Sequence, residues 1–596
     1  MKPLRPKVLL ALLIPPSLAT AGIAFAPGVA GMLQEERESR FKDILLHERF
    51  DADDDGRLDR SERDLAREEL GDRPPRRRRG GPPGMRGGQE QPRPETLPDA
   101  LRIDPEDTTA VPRLEGTGLY DRDVLHTIFL QFPEADWHQE MTAFHGTDVE
   151  VPAVLMLDGR TIGEVGVSYR GNTSFDHPAK KSFGISIDAY DDDLRIDGRR
   201  TLNLLNSNGD DSMMREVLFS NIAEDYVPAP KANFVRVVVN GVYLGVYGNV
   251  EQINKDFTQT HHDSRKGVRW KVPPDFSGGG ALAYHGPDRE NYESRYELKT
   301  DSAGPEDWDA LVEVCRVLAE TPDEELEETL PRHFDIDEVI RFLALDNAMV
   351  DSDGYYSRGS DYYLYMDPDG IFHLVHYDNN ETFGRGARGG RGGPGGRGGP
   401  GGRGDRGGPP PGFRPDGPPP GMDPDERRGG RDRGPGGLEG QDEREPRRRG
   451  RGGRGGRGGG RGGGGGVTQA PLAFQDDPET RPVIARILAV EAWRAEYLEV
   501  LRRIAEVELD WRNLKPRIDA YRDLIEADVV RDPFHGDRTR FRTALYGDEN
   551  SIRSFAAERR RFLLEHPSLS PDSDSSPEKG SRTTGGSDSG DPASSR

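Results

Sequence analysis

Aspartates recur at the ends of apolar segments in residues 343–384, which read LALDNAMVDSDGYYSRGSDYYLYMDPDGIFHLVHYDNNETFG. The pattern predicts a helix, an acidic loop, a strand, a tight turn at DPDG, a second strand and a second acidic loop. Asp351 and Asp353 follow the helix, Asp361 enters the first strand, and Asp378 leaves the second. Because the turn folds the second strand back beside the first, we expect both acidic ends at one edge of the sheet.

Carboxylate and amide oxygens are unfavourable when packed together unless a cation lies among them. Mg²⁺ typically takes one or two carboxylates together with substrate phosphates. The sequence therefore predicts a Mg²⁺ (or Mn²⁺) site at Asp378, with Asp361 and Asn379 as further oxygen ligands. In phosphoryl transfer, one aspartate accepts the proton of the attacking hydroxyl and another holds the metal. Asp353 suits the first role and Asp378 the second.

Basic residues lie at two strand ends in the part of the chain that precedes this stretch. Arg170 ends one predicted strand, and Lys180 and Lys181 open the next. Adjacent residues of a strand point to opposite faces, so at most one of the two lysines faces a cleft. A lysine that does so would suit a polyphosphate, whereas a solvated pair at a strand edge is the alternative.

Two glutamates complete the candidate site residues. Glu216 lies on a predicted helix in the segment DDSMMREVLFSNIAEDY, where it can orient a strand lysine through an ion pair. Glu251 closes the second strand of a predicted hairpin, where it can contact a nucleotide or only cap the strand. The sequence leaves both alternatives open.

A second acidic motif, DADDDGRLDRSE, lies near the amino terminus at residues 51–62. It meets every ligand position of the EF-hand calcium loop, with glycine at the sixth position for the sharp turn. The ligand residues are Asp51, Asp53, Asp55, Arg57 (through its backbone carbonyl), Asp59 and Glu62. Apolar residues at helical spacing flank the loop, so we predict a single Ca²⁺-binding EF-hand at residues 38–71; a solvated acidic turn is the alternative.

The remaining elements predict an α+β fold, with a β-rich half followed by a helical half and a cleft between two lobes. ANFVRVVVNGVYLGVYGNVEQI is typical of a hairpin with Asn240-Gly241 in its two-residue turn. Apolar residues recur at helical spacing in four segments: DWDALVEVCRVLAE, DIDEVIRFLALDNAMV, RPVIARILAVEAWRAEYLEVLRRIAEVEL and SIRSFAAERRRFLLEH. Cys315 is the only cysteine of the sequence, so an internal disulfide is excluded. Its position in the first of these helical segments indicates a buried thiol.

Composition divides the 596 residues into folded and unfolded parts. Residues 1–26 carry a basic start, an apolar stretch and A-x-A, which predicts a secretory signal peptide and an exported protein. Residues 72–110 are predicted to be a Pro/Gly/Arg-rich linker, 385–466 a disordered Arg-Gly-rich insertion and 567–596 a disordered tail. The net charge of −24 argues against a nucleic-acid-binding protein. The Arg-Gly insertion instead favours an extended cationic loop that contacts anionic surfaces or the acidic body of this same protein; RNA binding is the alternative.

Several segments together resemble the CotH kinase family, named for spore coat protein H. They are RGNTSF with KKSFGISI, LNLLNSNGDDSMMRE, VVVNGVYLGVYGNVEQINKDF, YESRYELKT, DGYYSRGSDYYLY and YDNNETFG. The resemblance covers most of residues 151–384 and extends to the helices after the insertion, so the domain would comprise residues 111–384 and 467–566. Two positions depart from the family's pattern: Asn380 stands where an acid is common, and Asp361 where an asparagine is common.

The resemblance implies an atypical protein-kinase-like fold that transfers the γ-phosphate of ATP to protein serine or threonine. By the same match, Asp353 would be the catalytic aspartate, Asp378 the metal aspartate, and Lys180 or Lys181 the lysine that contacts phosphate. The alternative is a catalytically inactive assembly or binding protein of the cell envelope that keeps this fold. Neither alternative requires several membrane spans, and none is predicted after the amino-terminal segment.

Overall fold

The computed structural model describes residues 44–71, 101–384 except 115, 172–173, 178–179, 275–278 and 301, and 467–569 except 473–478 and 536. The predicted signal peptide, the Arg-Gly insertion, most of the linker and most of the tail lie outside the described residues.

Seven strands of the amino-terminal half form a closed barrel in the order β1-β2-β3-β4-β5-β7-β6. The strands are β1 His126–Gln131, β2 Val151–Leu157, β3 Arg160–Arg170, β4 Ser182–Ser186, β5 Thr201–Leu205, β6 Ala232–Val239 and β7 Val242–Val250. Parallel pairing of β1 with β6 closes the barrel, and the other neighbours are antiparallel. Closure leaves no unpaired edge strand in this barrel.

The hairpin β6–β7 shows why these residues form strands. Both strands are rich in valine, and Asn240 and Gly241 both adopt left-handed backbone angles, with φ of +48° and +79°. Two consecutive positive φ values define the turn that matches the twist of a two-residue hairpin, and Asn-Gly adopts it readily. This part of the sequence prediction is confirmed.

A second sheet of four strands has the order β11-β10-β8-β9. Its strands are β8 Val268–Val272, β9 Glu297–Leu298, β10 Tyr362–Met366 and β11 Phe372–His376. Helices pack against it and against the barrel. In chain order they are α1 His47–Phe50, α2 Arg60–Leu70, α3 Trp137–Ala143, α4 Arg215–Ala223, α5 Lys255–His262, α6 Glu290–Glu293, α7 Pro305–Glu320, α8 Leu326–Thr329, α9 Ile336–Met349 and α10 Tyr355–Arg358.

The segment after residue 466 adds five helices among the described residues. They are α11 Pro482–Ala489, α12 Glu491–Val507, α13 Trp511–Arg531, α14 Arg538–Tyr546 and α15 Ile552–Leu564. The buried guanidinium of Arg559 on α15 donates to the backbone and side-chain oxygens of Asn347 on α9, at 3.0 and 2.7 Å. The α+β plan of a β-rich half followed by a helical part is therefore confirmed. One large apolar core contains residues of both parts, and the barrel strands carry a second core.

Two smaller observations concern the chemistry of the core and the surface. Cys315 is fully buried on α7, and burial raises the pKa of its thiol, as expected of a core residue. Among the residues that the structure describes, every helix is too short or too polar to cross a bilayer.

Because His376, at the end of β11, is a buried histidine, we expect the stability of the fold to decrease in acid. The ring of His376 stacks on Phe342 at 4.0 Å and meets Phe219 edge-on, and Nε2 has no hydrogen-bond partner among the described residues. Burial lowers the pKa of His376 to about 3. Between this value and the ordinary value near 6.5, the unfolded chain binds one more proton than the folded chain, so stability falls as the pH drops through that window.

We expect His376→Phe to remove this acid sensitivity, because the phenyl ring keeps the stacking and cannot be protonated. The difference in unfolding free energy between the variant and the wild type is expected to shift by roughly 2 kcal/mol in favour of the variant when the pH is lowered from 7.5 to 5. Urea unfolding at the two pH values measures the difference. An identical pH dependence of the two proteins between pH 5 and 7.5 would contradict the assignment.

Candidate functional site

The β10–β11 hairpin brings the predicted acidic residues to one end. Tyr362 pairs with His376, so Asp361 and Asp378 lie just beyond the paired ends of the two strands. The chain reverses at DPDG, where Oδ1 of Asp367 accepts the backbone N–H groups of Asp369 and Ile371, both at 2.9 Å. A local turn thus sets the position of both aspartates.

Asp361 is the most constrained of the candidate ligands. Its φ is +52°, its backbone N–H donates to the carbonyl of Val272 at 2.9 Å, and the residue is 3% exposed. Oδ1 is buried and has no hydrogen-bond partner among the described residues. Burial, and then the charges of Asp378 and Asp353, raise the pKa of Asp361 to about 9, although Lys271 and Arg358 lower it. Without a cation, the site therefore holds this carboxyl protonated at neutral pH.

Asp353 occupies the loop after α9 and is more accessible. Its carboxylate forms an ion pair with Arg358 at 2.5 Å, and its side chain is 24% exposed. The backbone holds it in place, because its N–H donates to Oδ1 of Asp351 and its carbonyl accepts from the hydroxyl of Ser360. An accessible carboxylate on a fixed loop is the geometry expected of a proton acceptor.

Asp378 begins the short 3₁₀ turn Asn379–Glu381 in a left-handed conformation, with φ of +59°. The side-chain amide of Asn380 donates to Oδ1 of Asp378. Asn379 is buried, and its Oδ1 has no hydrogen-bond partner among the described residues. Asn379 and Asp361 therefore each place an unpartnered buried oxygen at this end of the hairpin, and such oxygens are suitable ligands for a hard cation.

The charges of Asp378 and Asp353 both act on Asp361. Among the described residues, the groups of three or more metal-ligating side chains with ligand atoms within 4.8 Å of one another lie elsewhere. One is His262 with Glu338 and His373, and the other is Asp51 with Asp53 and Asp55. Mg²⁺ does not require a group of three close protein ligands, because it keeps several waters and takes part of its coordination from phosphates.

Two buried carboxyls support the loop that carries Asp353. Asp346, on α9, accepts the backbone N–H of Tyr356 at 2.5 Å, and burial raises its pKa to about 7. Burial, and then the charge of Asp346, raises the pKa of Asp351. Gly354 permits this packing, because a Cβ there would lie 2.5 Å from Oδ1 of Asp346. The loop therefore rests on protonatable groups that the sequence prediction did not include in the site.

Lys271 on β8 is a site residue that the sequence prediction missed. It pairs with Tyr363, and its ammonium donates to the hydroxyl of Tyr377 at 3.2 Å. Arg170 donates to the same hydroxyl at 3.3 Å. Burial lowers the pKa of Lys271, but its neighbours, Tyr377 first among them, outweigh burial and raise it, so the amine stays charged. The alternation in VRWKV, with tryptophan and valines on one face, was the available signal.

Lys180 and Lys181 point in different directions, as expected of adjacent residues. Lys180 is 3% exposed, and its ammonium contacts Oδ2 of Asp532 at 2.6 Å and the carbonyl of Val246 at 2.8 Å. Lys181 donates to the carbonyl of Phe175 and lies 4.1 Å from the centre of its ring. The contacts described for both lysines are therefore with the barrel and its surroundings.

The two glutamates occupy separate environments. Glu216 is buried on α4. Glu251 follows β7, as predicted, and forms an ion pair with Arg199 at 2.7 Å while accepting the backbone N–H of Lys231 at 3.1 Å. Arg170 reaches the hairpin end through Tyr377, and α4, the helix that carries Glu216, packs against the turn Asn379–Glu381.

The amino-terminal acidic loop lies between α1 and α2. Oδ2 of Asp51 accepts the backbone N–H of Gly56 at 2.8 Å, and Gly56 has a φ of +81°. Asp59 and Glu62 form a reciprocal cap at the start of α2, and Glu62 also accepts the backbone N–H of Ala52 at 2.7 Å. The loop is thereby closed upon Glu62, the residue expected to be its last ligand.

Charge accumulates in this loop. The ligand atoms of Asp51, Asp53 and Asp55 lie within 4.8 Å of one another. A hydrogen bond from the backbone of Asp55 lowers the pKa of Asp53, but the carboxylates of Asp55, Glu62 and Asp51 raise it overall. A divalent cation would relieve this repulsion.

The helix after the loop is tied to the rest of the fold by ion pairs. Arg63 contacts Glu140 on α3 at 2.7 Å, and both side chains are buried. Arg60 and Arg67 both contact Asp136, at 3.1 and 2.8 Å. These contacts fix α2, and with it Asp59 and Glu62, relative to the barrel.

The fold and the site together define a class of protein: a closed barrel joined to a helical part, with aspartates at one end of a hairpin. The family model described as CotH kinase protein matches residues 167–416 and 451–563, more than half of the chain. The chain therefore belongs to the CotH kinase protein family.

Two relatives carry descriptive names. Inner spore coat protein H of Bacillus subtilis (strain 168) is 26% identical over 244 residues, which is 41% of this chain and 65% of that protein. Invasin CotH3 of Rhizopus delemar (strain RA 99-880) is 25% identical over 269 residues, which is 40% of this chain and 43% of that protein. The chain thus spans less than two thirds of the length of each relative.

Proposed function

We propose that this protein transfers the γ-phosphate of ATP to a serine or threonine hydroxyl of a protein substrate, at the site of Asp353, Asp361 and Asp378. The observation that carries the proposal is the buried carboxyl of Asp361, whose unpartnered oxygen lies within electrostatic reach of the two other aspartates. Membership of the CotH kinase family supports the reaction class.

The roles follow from exposure and from hydrogen bonding. Asp378 and Asp361, with Oδ1 of Asn379, would hold Mg²⁺ or Mn²⁺, which neutralises charge on the β- and γ-phosphates when bound. The accessible Asp353 would accept the proton of the attacking hydroxyl as its oxygen bonds to the γ-phosphorus. The bond from that phosphorus to the β-phosphate oxygen breaks, and ADP leaves.

Cations for the phosphates are available beside this site. Lys271 and Arg170 meet at the hydroxyl of Tyr377, one residue before Asp378. We propose them as phosphate-contacting groups, in addition to the predicted Lys180 or Lys181. Phosphate oxygens would then replace the tyrosine hydroxyl as acceptors and would form charge-assisted hydrogen bonds with both cations.

The test is phosphate incorporation by the purified chain. γ-Labelled ATP with Mg²⁺ or Mn²⁺ is supplied together with candidate extracellular proteins, and phosphoserine and phosphothreonine are identified in the products. Label on these residues that requires the divalent cation supports the kinase. No incorporation into any protein, with no binding of ATP in calorimetry, would favour the alternative of an inactive assembly protein of the cell envelope.

We also propose that the protein acts outside the cytoplasm. The names of the two relatives refer to a spore coat and to an invasin, and the first 26 residues of this chain have the pattern of a secretory signal. A surface location fits a cationic Arg-Gly segment that contacts polyanions. ATP would then have to be supplied outside the cell.

The loop at residues 51–62 is proposed to bind one Ca²⁺ ion. We expect Glu62→Gln to weaken calcium binding by at least about tenfold, because the bidentate carboxylate at position 12 is lost. Asp54→Asn is the matched control, since Asp54 stands at the fourth position and is no ligand in this motif. Calorimetric titration measures both; equal affinities of Glu62→Gln and the wild type would contradict the site.

A further inference from the structure

Two histidines and a glutamate converge at the opposite end of the β10–β11 hairpin from the aspartates. His262 is the last residue of α5, Glu338 lies in the first turn of α9, and His373 lies on β11. One ligand atom of each lies within 4.8 Å of those of the other two. Three elements that are distant in sequence thus place nitrogen and carboxylate ligands around one point.

The geometry between the ligands resembles that of a zinc site. Oε2 of Glu338 lies 3.1 Å from Nδ1 of His373, and the rings of His262 and His373 are 4.3 Å apart between centres. Ligands about 2.0–2.1 Å from a tetrahedral Zn²⁺ are separated by roughly 3.3 Å. The Glu338–His373 separation is therefore already close to the value that a shared ion would impose.

Unpartnered atoms point to a missing ligand. Nε2 of His262 and Oε1 of Glu338 are buried and have no hydrogen-bond partner among the described residues. Buried polar atoms normally find partners, and a bound ion would supply one to both.

Asp367 completes the arrangement from the hairpin turn. Its Oδ2 lies 3.5 Å from Nε2 of His373, while its Oδ1 is engaged by the turn. In protein zinc sites, the second nitrogen of a ligating histidine commonly donates to a carboxylate, which fixes the ring and raises its basicity. Asp367 is placed for that positioning role.

We propose that His262, Glu338 and His373 bind Zn²⁺, with Asp367 as the positioning carboxylate, and that the ion ties the hairpin turn to α5 and α9. The site is separate from the aspartates, because it lies near the turn of the β10–β11 hairpin, whereas Asp361 and Asp378 lie beyond the paired ends Tyr362 and His376. Three protein ligands leave the fourth position of the ion to water, and the ion holds the hairpin whose other end carries Asp361 and Asp378.

The experiment uses the full chain, stripped with a chelator and then incubated with Zn²⁺ in excess Mg²⁺ and Ca²⁺, which occupy oxygen-rich sites. After desalting, mass spectrometry of the metal is expected to find one zinc ion per chain. Co²⁺ in its place is expected to give the visible absorption of tetrahedral coordination. A wild-type chain that retains no zinc would overturn the proposal.

Variants assign the ligands. Glu338→Gln, which keeps the shape of the side chain, and His373→Gln are each expected to lose the zinc ion, and Asp367→Asn is expected to weaken binding by about 10- to 100-fold. His261→Gln, one residue away on the same helix, is expected to retain the ion. Circular dichroism checks folding, and should His373→Gln not fold, Glu338→Gln decides alone. Zinc retained by Glu338→Gln at wild-type affinity would overturn the assignment.

Discussion

Replacing Asp378 by asparagine is expected to reduce divalent-cation-dependent phosphate transfer by at least about 100-fold, because a charged metal ligand becomes neutral where charge develops in the transition state. The substitution is chosen for the backbone. Asp378 has a φ of +59°, a conformation that asparagine adopts readily and alanine does not. A loss of activity therefore reports the charge and not a strained loop.

Label transfer from γ-labelled ATP measures this effect at saturating Mg²⁺. Asp369→Asn is the matched control, since Asp369 is an exposed aspartate in the turn at the other end of the same hairpin. Its activity is expected to equal that of the wild type. Equal activity of Asp378→Asn and Asp369→Asn would contradict the metal role of Asp378.

Lys180→Met is expected to destabilise the protein by about 3–5 kcal/mol, because it leaves the buried carboxylate of Asp532 without its partner. The two side chains are 4% and 0% exposed, and their nitrogen–oxygen distance is 2.6 Å. Gly245, with φ of +105°, makes room for this carboxylate, since a Cβ there would collide with it. The ion pair joins the residues just before β4 to the residue that follows α13.

Urea unfolding measures the loss, and two further variants interpret it. In Lys180→Met with Asp532→Leu, most of the stability is expected to return, because no buried charge is left alone. Lys515→Met is the exposed control; it breaks a surface pair with Asp519 and is expected to cost no more than about 0.5 kcal/mol. Wild-type stability of Lys180→Met, together with weakened ATP binding, would instead favour the predicted phosphate contact of Lys180.

The parts of the fold that could be predicted from the sequence are those that depend on short turn motifs. The Asn240-Gly241 turn fixes its hairpin, and DPDG places Asp361 and Asp378 at the same end. Barrel closure was not predicted. It depends on the parallel pairing of β1 with β6, which are about a hundred residues apart, and such long-range pairing leaves no turn motif in the sequence. Helix α13 also depends on distant contacts, since it reaches the barrel through Asp528 and Arg236.

The same distinction holds for the sites. Lys271 was missed because its strand joins the hairpin only through long-range pairing with Tyr363. His262, Glu338 and His373 have no spacing that a motif could report, since each comes from a different element. The predicted roles of Lys180, Lys181, Glu216 and Glu251 stay predictions. Lys180 and Glu251 each form an ion pair within the protein, so a test of their roles has to separate binding of a nucleotide from loss of that ion pair.

The proposed activity depends above all on one divalent cation and a nucleotide being held between Asp361 and Asp378. Anomalous scattering from crystals grown with Mn²⁺ and a non-hydrolysable ATP analogue tests this most directly. We expect a manganese peak bonded to carboxylate oxygens of Asp361 and Asp378 and to the analogue's phosphates, with Asp353 facing the γ-phosphate. Nucleotide bound away from these residues, or manganese found only in the loop at residues 51–62, would contradict it.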